Sequence, residues 1–295
     1  MNEVEFSQFA EKYRNWGRWG DMDEAGTLNF VTSERIIQAA HLIRKGRVFS
    51  LAVPFNRFGP QRPRPASTRF NPIHTMLKTG TDDPSLFSND PPLSHSTDDM
   101  ITMPLQASTQ WDSLAHIMFR GRMYNNRPHY LVTSDGAQKN SIDKISNRVV
   151  GRGVLLDIPR YKDVDWLELG QPVTVEDLEG ACQKQDVVIQ EGDFLLVRTG
   201  HVTMCKANND WGTFAGGDGP GLSVNTVPWL YEKRVASAAA DNFALEALPS
   251  KIPSAPNPLH LAALVGMGLL IGEIFDLDEL AADCAQDGIY EFFFV

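Results

Sequence analysis

Between residues 103 and 119 the chain reads MPLQASTQWDSLAHIMF, a stretch that gathers residue types used in metal and acid–base chemistry. If the part around Gln110 is extended, Gln110 and Asp112 point to the same face, because side chains alternate along a strand. If the chain then turns helical, Asp112 and His116 also share a face. A carboxylate, a carboxamide oxygen and an imidazole then converge on one point. The same residues describe a buried aspartate capping a helix and a histidine satisfied by backbone, and on the residues alone that structural reading is preferred.

Other reactive-looking groups carry less. Ser94, His95 and Asp98 or Asp99 lack a GxSxG elbow, and residues adjacent in sequence seldom form a serine-hydrolase triad. In AAADNFALE, Asp241 is read as a structural or supporting group at a strand end and Glu246 as solvated. His41, His95, His129 and His201 are read as packing, surface or structural residues. His74 is read first as a solvated loop histidine too, although beside Met76 it has the reach to enter a site.

The elements that must position these groups alternate in type. WGRWGDMDEAGTLNF, residues 16 to 30, has neither helical nor strand periodicity and reads as an ordered loop. SERIIQAAHLIRKG, residues 33 to 46, opens on a Ser cap, repeats apolar residues at helical spacing and stops at Gly46. Residues 54 to 104 are rich in Pro, Ser, Asp and Asn; a segment of this length inside a compact domain reads as a cover or a subunit-interface arm. Strand-type runs follow at 149 to 158, in DVVIQ, at 193 to 200 and at 234 to 241, with the helical stretches TVEDLEGACQKQ and NTVPWLYEKR between them. This alternation predicts a mixed α/β protein. Residues 217 to 221, GDGPG, are turn chemistry without the strand-then-GxGxxG context of a phosphate loop. There is no internal repeat and no linker, so residues 1–295 read as one domain.

Composition narrows the function. With 42% hydrophobic and 22% charged residues over 295 positions, the chain is that of an ordinary globular protein. A net charge of -10 and the lack of a basic run argue against nucleic acid. The N-terminus lacks the cationic start and apolar core of a secretory signal. The most apolar stretch, Leu261 to Ile274, falls short of the roughly 20 residues of a membrane helix and carries Glu273. Cys182, Cys205 and Cys284 are odd in number and widely spaced, suggesting neither disulfides nor a metal knuckle. A cytoplasmic protein acting on a small molecule is the expectation.

QASTQWDSLAH, residues 106 to 116, resembles the His-x-Gly-Thr-His-x-Asp-x-x-x-His signature of the cyclase family of metal-dependent hydrolases. That family includes kynurenine formamidase, isatin hydrolase and trans-dienelactone hydrolase. Thr109, Asp112 and His116 match, Ser108 stands where Gly is usual, and Gln106 and Gln110 stand where the leading histidines would be. A second match, HLAALVGMGLLIGEIFDLDEL at 260 to 280, resembles the family's His, apolar-Gly run, Glu and Leu-Asp-x-Leu block. Its His-to-Glu spacing of thirteen, usually twelve, implies a one-residue insertion. WGRWGDMDEAGTLNF, NPIHTM, RGVLLD, GDFLLVRTGH and ASAAADNFALE extend the likeness over nearly the whole chain. It is most similar to the branch with Thr-Gln-Trp-Asp in place of the double histidine.

The resemblance implies a single α/β domain with a mixed sheet of the swivelling β/β/α type, assembling as a homodimer or a dimer of dimers. It implies one divalent ion held by Asp112, His260 and Glu273, with the Gln110 amide oxygen as a fourth donor. Oxygen-rich donors admit Mn²⁺ as readily as Zn²⁺. The implied reaction is attack of metal-activated water on an amide, cyclic amide or lactone carbonyl, with His116 as acid and base. Gln106 becomes a group that either supports the metal ligands from behind or hydrogen-bonds substrate, and Trp111 and His74 candidates for the wall against a cyclic or aromatic one, Trp111 serving equally well as a core aromatic. A metal-free binding protein on the same scaffold, or isomerisation or dehydration of a cyclic substrate, are the alternatives.

Overall fold

The apolar runs around residues 154, 195 and 238 have no polar face, as in strands buried on both sides. The computed structural model, which describes residues 1–63 and 67–295, places them at the centre of one mixed sheet. In chain order the strands are β1 (Ile73–Lys78), β2 (Asp98–Thr102), β3 (Gln110–Asp112), β4 (Gly151–Asp157), β5 (Phe194–Arg198), β6 (Ser237–Ala240), β7 (Leu270–Glu273) and β8 (Glu291–Phe294). Six of them form the main sheet in the order β8-β4-β5-β6-β7-β3. The inner four run parallel, while β8 and β3 close the two edges antiparallel. The chain is a single α/β domain with a mixed sheet, as expected.

Strand alternation divides the core between the two faces. Val154, Leu156, Leu195, Val197, Ala238, Ala240 and Ile271 pack on one side, with Phe6 of α1 (Glu3–Lys12), Leu178 of α3 (Val175–Lys184) and Leu230 of α5 (Val227–Lys233). Leu155, Phe194, Leu196, Ala239 and Leu270 pack on the other, with Leu280 and Cys284 of α6 (Asp278–Asp287). Between α5 and α6 no further long helix intervenes. The apolar stretch after Asn257 makes one α-turn, Pro258–His260, then a π-helical segment, Leu261–Met267, and enters β7. No helix among the described residues is long and apolar enough to cross a membrane.

Several local expectations are corrected. The second helix, α2, spans Ser33–Ala40; its cap is Thr32, whose hydroxyl accepts from the Arg35 N–H, and it ends well before Gly46. Beyond Ala40 the amides of His41, Leu42 and Ile43 bond three residues back, which tightens the chain into turns and ends the helix. DVVIQ is not a strand: Val187 donates back to Cys182 and Gln190 to the Asp193 carboxylate, so its backbone is satisfied within the loop before β5. In the 54–104 arm, of which 64–66 lie outside the described residues, β1 and β2 form an antiparallel hairpin exposed at every residue, including Ile73, Met76, Leu77 and Ile101.

His201, which opens α4 (His201–Ala207), is structural as expected. It is buried against Phe214 with ring centroids 4.4 Å apart, and its Nδ1 has no partner among the described residues. Burial pulls its pKa down to about 4. The folded value lies below the unfolded value near 6.5, so the native state resists protonation; stability is full above about pH 6.5 and declines as pH falls through 4. A depression from 6.5 to about 4 is worth about 3 kcal/mol. Between pH 7 and pH 4 the wild type should therefore lose about 3 kcal/mol more unfolding free energy than His201→Gln. Urea denaturation at stepped pH checks this, and parallel curves for the two proteins would refute it.

Candidate metal centre and active-site cavity

The site is assembled where the edge strand β3 meets β7. Their antiparallel register sets Gln110 opposite Glu273, Trp111 opposite Gly272 and Asp112 opposite Ile271. Because side chains alternate, Gln110, Asp112 and Glu273 emerge on one face and Trp111 on the other. Trp111 thus takes the core role: it packs edge-on against Phe275 at 5.1 Å and Phe294 at 6.2 Å, within the second core cluster. It lies so close over β7 that a Cβ on Gly272 would come within 2.8 Å of its ring. The reading of Trp111 as a wall against substrate is corrected by that orientation.

Asp112, His260 and Glu273, separated by up to 161 positions, present ligand atoms that all lie within 4.8 Å of one another. His260 Nε2 is 3.4 Å from Asp112 Oδ2 and 3.3 Å from Glu273 Oε1. One imidazole nitrogen carries at most one proton and cannot serve both carboxylates, and both Asp112 oxygens are buried without a hydrogen-bond partner among the described residues. A cation shared among the three would satisfy them, so the residues fit a divalent ion.

The other imidazole nitrogen is already committed. His260 Nδ1 bonds Glu246 Oε1 at 2.5 Å, and the same carboxylate accepts the backbone amides of Leu259 at 3.0 Å and His260 at 3.1 Å. Glu246 is 2% exposed, so its reading as a solvated residue is overturned. A carboxylate on the far ring nitrogen fixes the ring's orientation and aims the Nε2 lone pair at the ligand position. The only signal in the sequence was an acid closing the apolar block before His260; what makes it functional is a contact across 14 residues that no periodicity encodes.

Electrostatics follow from crowding. Burial and the neighbouring Asp112 charge raise the Glu273 pKa. Burial opposes charge on His260, but Asp112, Glu246 and Glu273 together raise its pKa well above the ordinary value. Burial also penalises the Asp112 carboxylate, yet His260 and His116 hold its pKa below the usual one.

His116 is brought to the same place by a turn and not by a helix, its amide donating to Ser113 at 2.9 Å. With His260 and Glu273 it lines a cavity of about 430 Å³ that also includes Arg69, Ile117 and Phe243. Burial lowers the His116 pKa; Asp112 opposes that shift, and His260 and Arg69 add to it. Gln110 directs its amide nitrogen to Gln106 Oε1 at 3.0 Å and to Glu273 Oε2 at 2.6 Å, leaving its own Oε1 buried without a partner among the described residues. Gln106 therefore joins the centre through Gln110. His74 does not: it stands on the exposed hairpin, 2.7 Å from Asp99. Asp241 is structural, accepting the Thr199 and Gly200 amides at 2.6 and 2.8 Å just beyond β6.

The Cyclase family model matches residues 49–247. A solved structure described as a novel cyclase is 42% identical, with a TM-score of 0.85 over 96% of this chain and 92% of its own. The chain belongs to the cyclase family. This cyclase-family fold is also seen in isatin hydrolase A from Labrenzia aggregata bound to benzyl benzoate, at 17% identity and a TM-score of 0.57 over 83% of this chain and 87% of that one. It is seen again in an isatin hydrolase bound to the product analogue thioisatinate, at 15% identity and a TM-score of 0.57 over 84% of this chain and 88% of that one. No curated protein matches the chain.

If these residues hold an ion, Asp112→Ala should abolish metal retention, whereas Glu246→Gln should keep the site and weaken affinity about 10- to 100-fold by loosening His260. Calorimetric titration with Mn²⁺ and Zn²⁺, with elemental analysis of the purified proteins, checks both. Unchanged occupancy in Asp112→Ala would remove the assignment.

Proposed function

We propose that the protein is a metal-dependent hydrolase that cleaves an amide, cyclic amide or lactone carbonyl of a small cyclic or aromatic substrate. The observation that carries this reading is the convergence of Asp112, His260 and Glu273, with both Asp112 oxygens unpartnered among the described residues, at a cavity that His116, His260 and Glu273 line. The names of the isatin hydrolases that share the fold support a cyclic amide as the first substrate to try. A divalent ion, Mn²⁺ or Zn²⁺, supplies activated water near neutral pH and polarises the carbonyl.

The protein's own groups do the rest. Asp112, Glu273 and His260 Nε2 form the donor set, with the unpartnered Gln110 Oε1 as the neutral fourth donor. Glu246 holds His260 Nδ1 and so orients Nε2 towards the donor set. His116 accepts the proton of the attacking water on a ring nitrogen and returns it to the leaving nitrogen or oxygen, which balances the hydrolysis. Its lowered pKa keeps the ring neutral, and competent as a base, to lower pH than an ordinary histidine.

The exposed hairpin β1–β2 supports its reading as an interface arm in a homodimer or dimer of dimers. Light scattering at micromolar concentration should give at least twice the chain mass; a monomer would count against that role.

His116→Ala should retain near-normal metal content and lose turnover by about 10² to 10⁴, or ~3 to 5 kcal/mol of barrier. Wild-type turnover should decline only as pH drops below the ordinary imidazole value of about 6.5. Rates on isatin, lactones, N-formyl arylamines and cyclic imides, paired with elemental analysis, provide the measurement. Loss of metal in His116→Ala would make this residue a ligand, and full rate with full metal would make it structural.

A further inference from the structure

The cavity that Glu273 lines also has a cationic side chain in its lining. Arg69 lines it, half-buried, with the guanidinium carbon 5.7 Å from the centroid of the Phe243 ring, which lines it too. Other partly buried arginines in this protein have polar partners: Arg35 pairs with Glu191, Arg152 with Asp193 and Arg198 with Asp157, while Arg127 donates to the Asp21 and Asp23 carbonyls and Arg148 to Asn29 Oδ1. Arg69 makes no ion pair among the described residues, and Arg64, Pro65 and Ala66, which lie outside them, carry no carboxylate.

A partly buried guanidinium without a counter-ion among the described residues is an arrangement that an anionic ligand relieves. Its planar fork matches a carboxylate bidentately. We propose that Arg69 is the specificity-determining residue of the cavity and selects planar cyclic or aromatic substrates that bear a carboxylate. Calling the ligand a substrate rests on the hydrolase reading; capture of the anion does not.

The probes are benzoate and its neutral isostere benzamide, titrated calorimetrically into the metal-loaded full chain. Wild type should bind benzoate at least tenfold more tightly than benzamide. Arg69→Met, with metal content confirmed equal, should lose at least tenfold in benzoate affinity and leave benzamide within about twofold. Arg69→Lys, which keeps the charge and loses the fork, should fall between them. Benzoate binding unchanged in Arg69→Met would place the carboxylate on the metal and overturn the proposal. Equal loss of both probes would make Arg69 merely structural, and a wild type without preference for benzoate would equally overturn it. If no amide or lactone is hydrolysed but the benzoate preference still follows Arg69, the hydrolase reading fails and the anion site stands.

Discussion

Three buried carboxylates, Asp112, Glu246 and Glu273, surround one imidazole, His260. Like charges brought together out of water repel strongly, and a protonated His260 cannot neutralise all three. This unfavourable arrangement persists because the surrounding fold holds it rigidly, and a divalent cation at the point where Asp112 and Glu273 face Nε2 would relieve it. The raised pKa of Glu273 and the lowered one of Asp112 are two responses to the same crowding.

The sheet is built to hold that crowding. Antiparallel pairing of β3 with β7 places Gln110 and Asp112 on the face that bears Glu273, and a slip of one residue would turn both into the opposite core. Trp111, wedged over Gly272 between Phe275 and Phe294, makes such a slip costly, because it would carry an indole to the site and two polar side chains into an apolar cluster. His260 is delivered from the other direction by the segment that enters β7. A π-helical turn takes one more residue than an α-turn, and Leu261–Met267 can absorb the additional residue between His260 and Glu273 without displacing either end.

The cavity beside this negative centre also carries a proton-accepting and a positive group. His116 is in its lining, its pKa lowered by burial, while Arg69 stands by the Phe243 ring without an acidic partner among the described residues. A ligand in this cavity would meet carboxylate, imidazole and guanidinium together.

Much of this was written in the sequence. Alternation of buried strands with capped helices specified an α/β domain, because both periodicities are local properties of backbone geometry. The spacing Gln110, Asp112, His116 and the block from His260 to Glu273 carried the centre through resemblance to a family. What the sequence did not contain were relations between distant segments. Trp111 and Asp112 are neighbours, yet only the pleat and the register with β7 decide that one enters the core and the other the site. Glu246 read as solvated because nothing near it in sequence needs a carboxylate; the partner that does, His260 Nδ1, arrives only when the chain folds back. Arg69 lies in a Pro-rich segment with no periodicity at all, and its meaning depends on the cavity it lines and on the acids that do not reach it. Local order follows from residue type and spacing, whereas burial, charge compensation and the pairing of polar atoms are set by which segments meet in space, and only the tertiary structure determines that.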